Sequence, residues 1–140
     1  MKGKCLCGAV EFDIAGQLPS LYQCYCSLCQ QQTGGSHNTA TLVDKANFSW
    51  LKGQASISTY QKDTGFSSHY CQGCGCSVPN ALGSTGKYWI PAGLLEGPVT
   101  SKVVLHLHLA SKAPWQAMPS QGHQFDSMPD LSAIINLLGS

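Results

Sequence analysis

Cys24-Tyr25-Cys26-Ser27-Leu28-Cys29 places three sulfurs within six residues. Such a density reads as a ligand set, because a packed core uses cysteine as a small hydrophobe and has no reason to bunch it. The other cysteines of the chain's 8 fall into two further groups, Cys5 with Cys7 upstream and Cys71, Cys74 and Cys76 downstream.

Clustered cysteines either pair as disulfides or bind metal. A disulfide needs Cα atoms roughly 4.4–6.8 Å apart with their Cβ atoms facing. Neighbours in C-x-C or C-x-x-C rarely meet that without strain, so a disulfide framework would have to cross-pair the three groups. Met1 to Cys7 is polar and shows no charged-then-apolar leader, so the expected compartment is the cytoplasm. Thiols stay reduced there, and clustered cysteines then point to metal binding or catalysis.

Zinc is the expected cofactor, since it takes thiolates at about 2.3 Å in a tetrahedron. C-x-C on an extended segment puts both sulfurs on one face. Cys71-Gln72-Gly73-Cys74-Gly75 reads as a knuckle, a C-x-x-C turn whose glycines can adopt positive φ and aim backbone N–H groups at sulfur. Cys5, Cys7, Cys71 and Cys74 are therefore the expected structural zinc ligands, in a site that contributes to folding outright. Cys24, Cys26 and Cys29 are the expected ligands of a second zinc with one position open. That is the pattern of a working ion, and these three are the candidate catalytic residues.

Composition narrows the possibilities. A chain of 140 residues predicts one domain over 1–140. Hydrophobic residues make up 43%, enough for a core, and charged residues only 11%, which suits a small domain stapled by zinc. A net charge of +1 gives no electrostatic footprint for nucleic acid or anionic lipid. All 8 basic residues are lysine, so no bidentate guanidinium clamp on a carboxylate or phosphate is available. No apolar run approaches the roughly 18 residues of a membrane span.

The pattern outside the cysteines is that of short strands. Gly3 to Ala15 alternates, with Val10, Phe12 and Ile14 on one face and Glu11 and Asp13 on the other. Thr39 to Val43, Phe48 to Trp50, Ser56 to Tyr60 and Phe66 to Tyr70 read as further strands, with Lys62-Asp63-Thr64-Gly65 as a hairpin turn. Val78 to Ala81, Lys87 to Pro91 and Val103 to Leu109 continue the series. Residues 30–36, after the triad, read as a loop, and residues 111–128 as another. Asp130 stands where it can cap a short C-terminal helix with Leu131, Ile134, Ile135 and Leu138 on one face. The expected fold class is mainly β, of short antiparallel strands, closed by the four-cysteine zinc site and ended by that helix.

The three cysteine groups in this order resemble the glutathione-dependent formaldehyde-activating enzyme family, which includes centromere-protein-V-like proteins. The resemblance is carried by Gly3-Lys4-Cys5-Leu6-Cys7-Gly8-Ala9-Val10, Cys24-Tyr25-Cys26-Ser27-Leu28-Cys29, Thr33-Gly34-Gly35, Tyr70-Cys71-Gln72-Gly73-Cys74-Gly75 and Ser111-Lys112-Ala113-Pro114-Trp115. It implies a β-tent with a structural zinc on Cys5, Cys7, Cys71 and Cys74 and a second zinc on Cys24, Cys26 and Cys29. The implied activity joins formaldehyde to the thiol of glutathione and is classed as a carbon–sulfur lyase. The partners it implies are thus a small thiol and a small aldehyde. The chain departs from the family's pattern at Tyr25, where His is common, and at Gln30, Gln31 and His69, in neighbourhoods that often hold Arg.

Two functions follow. In one, the open zinc activates a thiol or polarises an aldehyde oxygen. Three thiolates leave that ion at formal −1, which opposes a further anionic sulfur and weakens its Lewis acidity, so the second zinc is expected to be labile. In the other, the chain is a non-catalytic zinc-stabilised scaffold that binds a partner. Cys76 is either an additional ligand or a small buried hydrophobe. His37 and His69 are expected as structural or solvent-facing residues beside the metal regions, with a proton shuttle or fourth ligand as the alternative. His106 and His108 share the polar face of their strand and are expected in solvent. Tyr25 either hydrogen-bonds a ligand or packs, Trp89 and Trp115 are expected in the core or a pocket wall, and Gly34 and Gly35 either offer N–H groups to an anion or form a plain turn.

Overall fold

A computed structural model describes residues 1–139. In chain order its elements are β1 (Lys2–Lys4), β2 (Glu11–Ile14), β3 (Leu21–Cys24), α1 (Ser27–Thr33), β4 (Asn38–Asp44), β5 (Phe48–Lys52), β6 (Ile57–Gln61), β7 (Ser67–Cys71), β8 (Asn80–Ala81), β9 (Lys87–Pro91), β10 (Val103–Leu107), β11 (His123–Gln124) and α2 (Leu131–Leu138). The fold is mainly β, with short strands and a short C-terminal helix. The chain forms two compact units, each built from two separated stretches: Met1–Leu18 with Val43–Val99, and Pro19–Leu42 with the residues from Thr100 onward.

In the first unit, β2 lies between β1 and β5, antiparallel to both. The alternation is realised as expected, with Val10, Phe12 and Ile14 buried and Glu11 and Asp13 half-exposed. Gly3 to Ala15 is nevertheless not one strand. It breaks at Cys5, whose N–H bonds the Val10 carbonyl at 3.1 Å while the Gly8 N–H returns to the Cys5 carbonyl at 3.1 Å. Cys5 and Cys7 therefore sit in the turn between β1 and β2, not on an extended segment. Their sulfurs are brought together by the turn, and the two-residue strand period plays no part.

The remaining strands of this unit pair as β6 with β7 and β8 with β9, both antiparallel. The predicted turn at residues 62–65 closes the first pair, with Lys62 N–H to the Phe66 carbonyl at 2.8 Å. The core joins Phe12, Ile14, Val43 and Ile90, flanked by Phe48 stacked on Tyr88 at 4.1 Å and Trp50 edge-on to Phe48 at 4.9 Å. A second cluster holds Cys5, Val10, Cys71 and Val78, with Cys74 and Cys76 packed against it. The cysteine group thus shares its surroundings with apolar side chains that restrict water.

In the second unit, β3 pairs antiparallel with β4 and parallel with β10, and β10 pairs parallel with β11. The two parallel pairings depart from the antiparallel expectation. Parallel neighbours need long connections, and β3 and β10 come from stretches far apart in the chain. The ladder places Asn38 opposite Cys24 on one side and Leu107 opposite Cys24 on the other. Residues 27–33, expected in part as loop, form α1, which ends at Gly34 in the left-handed region at φ 71°. α2 buries Ile134 and Leu138, and the Leu138 carbonyl accepts from the Ser20 N–H at 2.9 Å. Asp130 occupies its N-cap position, but its side chain makes no capping bond. No helix is long and apolar enough to cross a membrane among the described residues.

Candidate metal centres

The first cysteine group lies wholly within the first unit. The Sγ atoms of Cys5, Cys7, Cys71 and Cys74 all lie within 4.8 Å of one another. Cys7 is 3.7 Å from both Cys5 and Cys71. That is far longer than a disulfide's roughly 2.05 Å. It matches the edge of about 3.8 Å that a tetrahedron with 2.3 Å zinc–sulfur bonds requires. The donor set therefore fits a thiolate-bound zinc.

The knuckle is built as its glycines suggest, with one difference. Gly75 takes φ 75° and sends its N–H to the Cys71 carbonyl at 2.8 Å, closing the turn. The N–H groups that reach sulfur come from elsewhere. Val10 donates to Cys5 at 3.4 Å, and the backbones of Cys7 and Cys76 donate to Cys74. Those two bonds, the Cys7 one first, hold the Cys74 thiol down to about 6. At Cys7 the Ala9 N–H favours the thiolate, but the Cys5 and Cys71 sulfurs outweigh it and push the thiol up to about 11. Burial works to raise Cys5, and the Val10 N–H with the adjoining thiols outweighs it, so Cys5 lies below its ordinary value. A bound cation would displace the protons these thiols carry. Cys76 stays outside the four-sulfur set; burial raises its thiol, and the neighbouring sulfurs of Cys74 and Cys5 add to that.

The second group lies wholly within the second unit. The sulfurs of Cys24, Cys26 and Cys29 lie within 4.8 Å of one another, with Cys24 and Cys29 buried and Cys26 half-exposed. Cys24 ends β3. Cys26 caps α1, its sulfur accepting from the Cys29 N–H at 3.4 Å, and Cys29 comes one helical turn further on. The Cys24–Cys29 contact acts on the two thiols in opposite senses: the bond from Cys29 holds Cys24 down to about 6, and the same contact drives Cys29 far up. No fourth Cys, His, Asp or Glu joins these three among the described residues. All eight cysteines are unpaired.

The structure decides several of the other residues singled out in the sequence. His106 is not in solvent. It is 5% exposed, its Nε2 2.9 Å from the Gln121 carbonyl and its Nδ1 2.9 Å from the Tyr25 hydroxyl, which donates to Gln23 Oε1 at 2.8 Å. His108, its expected companion, leaves the strand in the left-handed region at φ 58°. Gly34 and Gly35 offer nothing to an anion, since their N–H groups go to the Gln30 carbonyl at 2.8 Å and to Thr33 Oγ1 at 3.1 Å. Trp115 is 70% exposed, whereas Trp89 is half-buried.

His37 and His69 behave as structural residues. His37 Nδ1 lies 2.6 Å from Ser36 Oγ, and His69 lies between Thr59 Oγ1 and Ser67 Oγ at 3.1 and 3.3 Å. Sequence reasoning missed Asn38, whose Nδ2 donates to Cys29 Sγ at 3.0 Å. No local pattern announces it, because the contact runs from β4 to a sulfur on α1. A cleft of about 280 Å³ in the first unit, walled by Trp50, Ile57, Pro79 and Tyr88 with Gln54 and His69, carries none of the cysteines.

Comparison with known proteins places these observations. Residues 1–111 match the family model of the glutathione-dependent formaldehyde-activating enzyme. A Halomonas elongata protein, provisionally named a glutathione-dependent formaldehyde-activating enzyme, is 31% identical over 84 residues, covering 56% of this chain and 54% of that protein. The chain thus spans about half the length of that relative. A crystal structure of a Rhodobacter sphaeroides protein superposes with a TM-score of 0.59 at 22% identity, covering 74% of this chain and all of the other, a likeness of fold. Both cysteine groups fall inside the matched span, and the chain belongs to the glutathione-dependent formaldehyde-activating enzyme family.

Proposed function

We propose that Cys24, Cys26 and Cys29 hold zinc at a working site that joins a glutathione-like thiol to formaldehyde or a similarly small aldehyde, and reverses that addition, as a carbon–sulfur lyase. The carrying observation is the converging triad itself: three thiols, one of them half-exposed, with no fourth ligand of the protein's own among the described residues. The family's name supports the thiol and the aldehyde. Cys5, Cys7, Cys71 and Cys74 hold a second zinc in a structural role, and the protein works in the cytoplasm, where thiols stay reduced.

The reaction needs neither oxidant nor reductant. The thiol sulfur's electron pair forms the new bond to the aldehyde carbon, the carbonyl π pair moves onto oxygen, and the thiol's proton ends there. Zinc held at the triad supplies Lewis acidity, which favours a thiolate over a thiol and polarises a carbonyl. The chain's own residues do the rest. Buried Cys24 and Cys29 fix the inner side of the site, half-exposed Cys26 marks the side from which substrate enters, and backbone N–H groups hold the sulfurs as acceptors.

The absence of arginine favours a second reading, a zinc-stabilised scaffold that binds a partner without catalysis. One experiment separates them. Bound zinc per chain is counted, and hydroxymethyl exchange between glutathione and formaldehyde is followed by NMR against the uncatalysed rate. The enzyme reading expects two zinc ions and an accelerated exchange in the wild type, with one zinc and no acceleration in Cys26→Ala. Acceleration unchanged in Cys26→Ala, or absent from a two-zinc wild type, sinks it.

A further inference from the structure

Each sulfur of the triad receives one N–H. Cys24 takes it from the backbone of Cys26, Cys26 from the backbone of Cys29 at 3.4 Å, and Cys29 from the side chain of Asn38 at 3.0 Å. Two of these donors are main chain and belong to the turn whatever side chains it carries. The third depends on one residue, placed by β4 directly across the ladder from Cys24. It is also the shortest of the measured pair and serves a buried sulfur that water does not reach.

The other end of the same amide shows that the contact is not there for the fold's benefit. Asn38 Oδ1 is buried and has no hydrogen-bond partner. A buried acceptor left unpaired destabilises the folded state, and an apolar side chain of similar size would remove the penalty. Rotating the amide would give no relief, since it would expose the sulfur to an oxygen and strand the N–H instead. The orientation present suits a sulfur that accepts.

We infer that Asn38 is the positioning residue of the triad: its side-chain N–H fixes the Cys29 sulfur as an acceptor and so raises the site's affinity for a divalent metal ion. The inference rests on reading the triad as a metal site. The N–H draws charge from one of three thiolates, which matters most where the set carries a formal excess of negative charge. Partners of this kind around metal ligands typically change affinity 10–100-fold when removed.

The test uses the full chain and Zn²⁺ or Co²⁺ as the probe. Asn38→Leu removes both ends of the amide at similar volume; Asn38→Val removes them in a smaller, strand-compatible side chain that can neither donate nor ligate. Affinity at the triad is expected to fall about 10–100-fold in both variants, and the sulfur-to-cobalt charge-transfer band is expected to shift. The four-cysteine group should bind its ion unchanged and serves as the internal gauge of folding. Metal-free Asn38→Leu is expected to melt no lower than the metal-free wild type, because the orphaned oxygen is gone. Metal binding at the triad with unaltered affinity and spectrum in both variants overturns the inference while leaving the metal site standing. A loss of affinity in Asn38→Leu that only parallels its loss of metal-free stability, with Asn38→Val unaffected, also overturns it, as a merely structural role. A wild type that binds metal only at the four-cysteine group removes the underlying reading instead. Should Asn38→Leu fail to fold, Asn38→Val alone decides.

Discussion

Cys7 and Cys71 lie 64 positions apart in the chain, and their sulfurs stand 3.7 Å from each other. A contact of that span restrains the first unit only if something holds the sulfurs together, since neutral thiols attract weakly and thiolates repel. A shared cation does so, and it then closes a long loop of the chain. Removing zinc with a chelator, or replacing Cys71 by Ser, is expected to cost on the order of 4–5 kcal/mol, the range reserved for loss of a metal site. For a chain of this size that lowers Tm by more than about 10 °C. Calorimetry with and without chelator measures it, and a melting curve indifferent to the chelator contradicts the structural role.

Gly53 fixes the same turn from behind. It takes φ 82°, and a Cβ on it would stand 1.9 Å from the Ala9 carbonyl oxygen and 2.9 Å from Val10 Cα. Those are backbone atoms of the turn that carries Cys5 and Cys7, so no side chain can swing aside. Gly53→Ala is expected to destabilise the protein by about 1–3 kcal/mol through strain in the left-handed region alone, with more from the clash. It is also expected to weaken zinc at the four-cysteine group while leaving the triad's ion in place. Competition against a chromogenic chelator reads both sites. Equal weakening at both would show that the turn is not the point of action.

How much of this was legible depends on whether the signal is local. The two cysteine sets could be read because ligand chemistry needs sulfur at short spacings, and those spacings survive whatever the backbone does between them. Val10, Phe12 and Ile14 could be read because a half-buried strand repeats every second residue. The turn at Cys5 could not, since alternation continues across it and only the Cys5–Val10 hydrogen bonds show the break. α1 was partly readable: Cys26 is an unusual cap, but Gly34 beyond a polar run is an ordinary helix stop. His106 was misplaced because strand alternation assumes one wet face, whereas on β10 that face is covered by Tyr25 and by the backbone at Gln121. Asn38 carried no local signal, because its partner Cys29 is brought to it by the way α1 packs beside β4.

The Tyr25 hydroxyl is committed on two sides. It donates to Gln23 Oε1 at 2.8 Å and lies 2.9 Å from His106 Nδ1. Tyr25→Phe keeps the ring, its packing on His37 at 5.2 Å and the backbone bond to the Leu107 carbonyl. It strands the two polar partners. The expected cost is about 1–3 kcal/mol, the penalty for buried groups left unpaired, with both metal equivalents retained. Denaturant unfolding monitored by tryptophan fluorescence gives the number, and a loss below a few tenths would mean that water replaces the hydroxyl.

His106 makes stability depend on pH in a direction that can be worked out. Burial holds its imidazole below the ordinary 6.5, and the bond to the Gln121 carbonyl, which favours the charged ring, does not offset it. Its Nε2 faces the Gln121 carbonyl and its Nδ1 the Tyr25 hydroxyl, so both ring nitrogens are enclosed by the protein. His37, whose ring also packs on Tyr25, is lowered by burial and by the His106 charge, so it acts in the same sense. The unfolded chain takes up these protons near pH 6.5, and the folded chain only at lower pH. As pH falls the unfolded state therefore binds more protons, and stability declines. The His106 contribution is complete above about pH 6.5 and disappears as pH drops through the folded value. Comparing wild type with His106→Gln at each pH cancels the titration of the cysteines common to both. The wild type's advantage in Tm is expected to shrink between pH 7.5 and 5.5, and an advantage that stays constant over that range would mean the imidazole does not change charge on unfolding.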